Sequence, residues 1–338
     1  MPDMPTALNA HLFQMLEDAL TNLAPLLGDP GIREIMVNGE DNVWIERRGA
    51  LERYPTRFSG QDTANAIRIM ATLADSDIGG GHGVLLDAAI SGFRISAALH
   101  PVATRGHALC IRKHSGVSCR IEDYFPEGVP TQDSLARSPS LIGEFHPSGR
   151  LEHVLGQWIE GRKNILVSGG TSTGKTTFLN ALMRAIPPSD RLVVIEDTRE
   201  LVVEVPNFVA FEAHPGLGVS LRDLVKQTLR FRPDRIVVGE VRGGEAFDLL
   251  QAMNTGHSGC LGTLHANGPA DALCRLEQMV LQSGIDWPAA SIGRQIAGSI
   301  GGVVHLARVG GARRIVDVVQ VEGYRDGVYR TQSLLQAA

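Results

Sequence analysis

Nine consecutive residues, Gly169, Gly170, Thr171, Ser172, Thr173, Gly174, Lys175, Thr176 and Thr177, carry the most specific chemistry in the sequence. The first eight satisfy G-x-x-x-x-G-K-[ST], a loop that cradles phosphate. Its glycines let successive backbone N–H groups turn toward one anion, and a helix starting there adds the positive end of its dipole. In that frame Lys175 reaches the β- and γ-phosphates of ATP, and the Thr176 hydroxyl helps hold Mg²⁺. The flanks suit the motif: Asn164–Ser168 reads as a short buried strand and Thr177–Met183 as a helix. The only lysines are Lys113, Lys163, Lys175 and Lys226, every other basic residue being arginine. A lysine placed in this loop suits a task for a compact ammonium rather than a planar guanidinium.

Binding phosphate is not yet catalysis. Hydrolysis also needs a metal held from a second strand and a carboxylate that orients water toward the γ-phosphate. Two apolar segments end in acids: Leu192–Ile195 runs into Glu196-Asp197, and Arg235–Gly239 runs into Glu240. Either acid could instead cap the next helix. His265 ends Cys260–Leu264 and is placed to meet a γ-phosphate, although eleven histidines dilute that signal and most lone histidines are packed or solvated.

These groups need a scaffold. From about residue 150, strands and helices alternate: strands at 164–168, 192–195, 235–240 and 260–265, helices at 220–231 and 245–254, and Pro269 at the first turn of another helix. Such alternation predicts a mostly parallel sheet with helices on both faces, the loop lying at the carboxyl end of its strand. Ser220 and Asp223 form a capping-box-like start. Segments 303–306, 315–321 and 329–331 add late strands. Upstream, residues 7–27 read as one amphipathic helix with an acidic polar face, docked on its own domain or touching a partner or membrane surface. Segments 35–37 and 43–46 read as strands paired across an Asn38-Gly39 turn, followed by a helix over 62–74 and strands over 93–99 and 108–112. Residues 126–149 are rich in Pro, Ser and Gly. The expectation is therefore an α+β domain over 1–130, a linker over 131–149 and an α/β domain over 150–338.

Net charge of −5 argues against a general nucleic-acid surface, and no direct sequence-specific nucleic-acid binding is expected. Cys110, Cys119, Cys260 and Cys274 form no C-x-x-C pair, which disfavours a zinc ribbon or disulfide framework. No apolar run approaches the roughly 18 residues that span a membrane, and no signal-peptide pattern opens the chain, so a cytoplasmic protein is expected.

Four segments together resemble the Walker A, Asp-box, Walker B and His-box set of the secretion ATPase superfamily. They are 169–177, Ile-Glu-Asp-Thr-Arg-Glu-Leu at 195–201, Arg-Pro-Asp-Arg-Ile-Val-Val-Gly-Glu-Val-Arg-Gly at 232–243, and Gly-Thr-Leu-His-Ala-Asn at 262–267. Residues 32–39 and 93–99 extend the resemblance toward the type IV secretion and conjugal transfer ATPases of the TrbB kind. The resemblance implies a RecA-like P-loop NTPase domain preceded by a PAS-like one. It also implies a hexameric ATPase ring in the cytoplasm, peripheral to the inner membrane and docked on channel proteins. It casts Glu240 as the Walker B acid that meets Mg²⁺ through the nucleotide, Glu196 as the Asp-box acid, and His265 as the γ-phosphate sensor. Arg94 and Arg112 match arginines that the N-terminal domain presents to the nucleotide, although strand arginines are also often solvent-facing or paired with carboxylates. Ser172 stands where many relatives have glycine, without expected loss of binding. Motors for tight-adherence or type IV pili, or for type II secretion, share these boxes. The missing tetracysteine module disfavours the type II form, and prepilin genes nearby would favour a pilus motor. A nucleotide-gated scaffold with little turnover and a DNA helicase are further readings, disfavoured by the intact acid pair and by the acidic balance.

Overall fold

Alternating apolar residues from Ile32 to Lys113 build the sheet of the first unit. The computed structural model describes residues 7–47, 50–74, 84–90, 92–113, 151–310 and 312–334, and the chain divides into two units, Met1–Val117 and Ser118–Ala338. The expected linker at 131–149 lies outside the described residues.

In the first unit, strands β1 (Ile32–Asn38), β2 (Val43–Arg47), β3 (Ala50–Tyr54), β4 (Leu85–Ile90), β5 (Phe93–Ala98) and β6 (Ala108–Lys113) form one sheet. Its order is β3-β2-β1-β6-β5-β4, with every ladder antiparallel. Ile35, Val37, Val43, Ile45, Ile95, Leu109 and Ile111 bury one face together with Ala66, Ile67 and Met70 of helix α3 (Gly60–Leu73). Ser59 caps α3 by accepting from Asp62 N at 3.0 Å. The single helix expected over 7–27 is instead α1 (Ala7–Ala19), a 3-10 turn (Thr21–Leu23) and α2 (Ala24–Gly28). Pro25 explains the break, because its ring has no N–H and would clash with the carbonyl four residues back in a continuous helix. Leu16, Leu20, Leu23 and Leu26 still reach the core. The alternation also passed over β3 and β4.

The second unit holds α4 (Leu151–Glu160), β7 (Ile165–Gly169), α5 (Lys175–Arg184), β8 (Leu192–Glu196), β9 (Phe208–Glu212), α6 (Leu221–Thr228), β10 (Arg235–Val238), α7 (Glu245–Asn254), β11 (Leu261–Leu264), α8 (Pro269–Gln282) and α9 (Ala289–Ser299). β12 (Gly302–Val309), β13 (Ala312–Arg325) and β14 (Val328–Ser333) complete it. The sheet order is β14-β13-β12-β7-β11-β10-β8-β9, parallel from β12 to β9 and antiparallel at β13 and β14. β7, β8, β10 and β11 are buried at every residue, as strands covered on both faces must be. Alternate residues serve opposite cores: Ile165 and Val167 pack with Trp158 and Phe178 of α4 and α5, while Leu166 packs with residues of α6 to α9. The capping box of α6 is present, Ser220 Oγ accepting from Asp223 N while the Asp223 side chain accepts from Ser220 N. Strand β10 stops at Val238 and β11 at Leu264, so Glu240 and His265 stand just past strand ends rather than inside them.

Candidate active site

The carboxyl ends of four adjacent strands, β7, β11, β10 and β8, meet on one edge of the second unit. From β7 the loop rises and turns into α5. Gly174 caps that helix at φ 94, a left-handed conformation that glycine adopts freely. Ser172 also lies in this region at φ 60. Its backbone geometry thus explains why glycine suits the position, and serine holds it at a cost of about 1 kcal/mol. Thr173 Oγ1 donates to Gly170 O at 2.9 Å, bracing the loop from within.

Lys175 is buried, and its ammonium donates to Gly169 O at 3.1 Å and Gly170 O at 2.9 Å. It also lies 3.3 Å from His265 Nδ1. His265 Nε2 is in turn 3.1 Å from Glu240 Oε1. The tautomer that satisfies both neighbours carries its proton on Nε2, donates to Glu240 and accepts from Lys175 through Nδ1. Burial, then the nearby Lys175 charge, lowers the His265 pKa, so the ring is neutral at pH 7. Glu240 Oε2 accepts from Arg242 Nη2 at 2.9 Å, and Arg242 Nη1 bridges onward to Asp197 at 2.7 Å. Burial pushes the Glu240 carboxyl up, but its hydrogen bond from Arg242 and the charges of Arg242 and Lys175 outweigh burial and hold it below the usual range. Glu240 is therefore ionised.

Glu196 is different. It is 4% exposed, and burial pushes its carboxyl up to about 7 although Oε1 accepts from the N–H groups of Glu200 and Leu201, each at 2.8 Å. Glu196 thus brackets the loop that follows its strand and caps no helix, since the next α-helix begins only at Leu221. β8 and β10 are parallel neighbours with Ile195 level with Val238. A side chain at Gly239 would come 3.0 Å from Glu196 Cγ, so glycine lets the two acid-bearing strand ends lie against each other. Thr263 Oγ1 donates to Gly239 O at 2.6 Å and fixes the end of β10 against β11.

The structure brings Lys175, His265 and Glu240 into one hydrogen-bonded line, with Glu196 on the neighbouring strand end. Thr176 and Thr177 open α5 beside Lys175. Arg94 and Arg112 belong to the first unit, where β5–β6 register sets them directly opposite each other. Arg94 also pairs with Asp87 at 3.3 Å, so the carboxylate-paired alternative holds for it in part. Three participants had gone unassigned. Arg242 and Asp197 lay inside quoted motifs, yet a motif does not show which side chains pair. His305, 5% exposed with Nδ1 2.9 Å from Ser168 Oγ, braces the end of β7 and gave no signal among eleven histidines.

The donor set fits a magnesium-bound triphosphate: a loop with left-handed glycine geometry at a helix N-terminus, a buried lysine, a helix-start threonine and an ionised carboxylate. Mg²⁺ commonly takes one or two carboxylates plus phosphate oxygens rather than an all-protein cage.

Residues 148–332 match the protein family described as Type II/IV secretion system protein. A putative conjugal transfer protein of Mycobacterium tuberculosis is 35% identical over 329 residues, covering 92% of this chain and 88% of that protein. The conjugal transfer protein TrbB of Rhizobium radiobacter is 33% identical over 344 residues, covering 98% and 97%. Among solved structures, the ATPase DotB of Yersinia pseudotuberculosis aligns with a TM-score of 0.61 at 15% identity, covering 90% of this chain and 79% of that one, a likeness of fold.

Proposed function

This chain belongs to the Type II/IV secretion system protein family and is an ATPase, and we propose that it works as a hexameric ring whose ATP hydrolysis drives conjugative DNA or protein through a type IV secretion system. The conjugal-transfer relatives match almost the whole chain, which supports this reading over a pilus or type II secretion motor. The observation that carries the catalytic assignment is the line Lys175–His265–Glu240, because it joins the phosphate loop to the neighbouring strand ends.

In this reading the loop N–H groups and Lys175 hold the β- and γ-phosphates. Thr176 and Glu240 would hold Mg²⁺, which when bound neutralises charge across those phosphates. Neutral His265 senses the γ-phosphate by turning its one N–H from Glu240 to a phosphate oxygen, a hydrogen bond that disappears with that phosphate. Glu196, titrating near neutrality, takes the proton of the attacking water, since a general base works best with a pKa close to the operating pH. Arg94 and Arg112 add cationic support for nucleotide binding. The second unit is RecA-like and the first PAS-like. Among the described residues no helix is long and apolar enough to cross a membrane. In the proposed arrangement the ring works in the cytoplasm, peripherally on inner-membrane channel proteins. The experiment is a solution mass with and without Mg-ATP alongside phosphate release. A sixfold assembly with turnover is expected; a monomer without turnover contradicts the proposal.

A further inference from the structure

We propose that Arg313, with Arg308 beside it, is a further substrate-contacting residue, binding the diphosphate and nucleoside part of ATP on the side of the loop away from Glu240 and His265. This rests on the loop being the nucleotide site, and extends that site to a hairpin outside the four boxes.

Strand β12 runs parallel to β7 with Leu306 level with Gly169, where the loop begins. It then continues to Val309, and β13 returns from Ala312. The hairpin tip therefore stands at the carboxyl end of the sheet, beside the loop, where parallel sheets bind ligands. Arg313 lies against the loop itself: a Cβ built on Gly174 would come 2.9 Å from Arg313 Cδ and 3.6 Å from its Nε.

The pairing between β12 and β13 selects this arginine. His305 pairs with Asp317 but Leu306 pairs with Ile315, leaving Val316 as an extra residue. Uninterrupted pairing would set Arg314 opposite Arg308; the bulge sets Arg313 there instead. A one-residue slip flips every side chain to the other face, so the bulge determines which arginine meets the loop.

Sheet order assigns the part of the ligand. His265 and Glu240 follow strands β11 and β10 and Glu196 ends β8, all on one side of β7, whereas β12 and β13 lie on the other. Lys175 leans toward His265. The γ end of the triphosphate belongs to that side, which leaves the α- and β-phosphates, ribose and base to the hairpin. A guanidinium binds phosphate through two N–H groups and also stacks on a planar base. Arg313 should then contact what ADP and ATP share.

Calorimetric titration of the full chain with Mg-ADP and Mg-ATP tests this, using Arg313→Gln and Arg313→Met, which keep the aliphatic stem against Gly174 but lose the charge. Either folded variant should bind both nucleotides about tenfold more weakly, leaving their ratio unchanged. His265→Ala should lower ATP affinity more than ADP affinity. Unchanged affinity for both nucleotides in either Arg313 variant overturns the proposal, as does a loss confined to ATP, which would put Arg313 at the γ end. If the wild-type chain binds neither nucleotide, the loop assignment fails and this inference with it; if wild type binds and the Arg313 variants bind equally well, only this inference fails.

Discussion

The contrast between the two strand-end acids makes a prediction about pH. Burial raises the Glu196 carboxyl from 4.5 to about 7, while Glu240 is held ionised by Arg242 and Lys175. If Glu196 accepts the proton of the attacking water, kcat at saturating Mg-ATP should follow its ionisation, because kcat reports groups in the substrate complex. About one tenth of a carboxyl with pKa about 7 is ionised at pH 6, so the rate there should be roughly one tenth of the plateau above pH 8. A carboxyl titrating at the usual value would already be almost fully ionised at pH 6 and would give a flat profile. Negative charge on bound triphosphate moves the midpoint upward and Mg²⁺ moves it downward, so the slope rather than the exact midpoint is the signature. Glu196→Gln should lower the plateau by roughly 10²- to 10⁴-fold and abolish the slope. The same shift acts on folding. The folded chain holds this proton more tightly than the unfolded one, so the contribution is full below pH 4.5 and is lost as pH rises through about 7. The stability of wild type relative to Glu196→Gln should therefore fall by at most about 3 kcal/mol across that window, read by urea unfolding at several pH values. A wild-type rate independent of pH between 6 and 8 would refute the assignment of Glu196 as base.

Glu240→Gln keeps the shape of the side chain but removes its charge, so it should bind ATP yet hydrolyse it at least ten- to a hundredfold more slowly in a phosphate-release assay; near-normal turnover would remove Glu240 from the metal site. Ser172→Gly relieves about 1 kcal/mol of left-handed strain against a similar gain in unfolded-state entropy. Its nucleotide affinity should stay within about twofold, and a large loss would mean that the serine side chain itself contacts the nucleotide. Arg94→Ala and Arg112→Ala should each weaken ATP affinity or turnover by about tenfold without lowering the thermal midpoint, whereas unchanged kinetics in both would reduce the pair to a charged surface of the first unit.

The second unit was legible where the physics is local. The continuous apolar runs of β7, β8, β10 and β11 could only be strands buried on both faces, and the Gly-Lys-Thr turn fixed the start of α5. Ser220 and Asp223 announced α6 because a capping box lies within one turn. Long-range pairing was not legible. Arg242 bridges Glu240 and Asp197 across two strands, and the bulge at Val316 selects Arg313 over Arg314; neither follows from spacing along the chain. Strand β9 escaped notice because it lies at the edge of the sheet with an exposed, broken pattern, and Pro25 overrode an otherwise sound helical period. The pKa contrast between Glu196 and Glu240 arises from burial and partners and had no signature in residue type.

The most direct test of the account is phosphate release by the purified full chain at saturating Mg-ATP, with wild type and Lys175→Ala measured side by side and thermal melting as the control for fold. Lys175 joins the loop carbonyls to His265, and in the proposed role it supplies the point charge at the β- and γ-phosphates, so wild type should turn over and the variant should fall by roughly a hundredfold or more at an unchanged melting midpoint. Equal rates in a folded Lys175→Ala chain, or a wild type that binds ATP without hydrolysing it, would contradict the account.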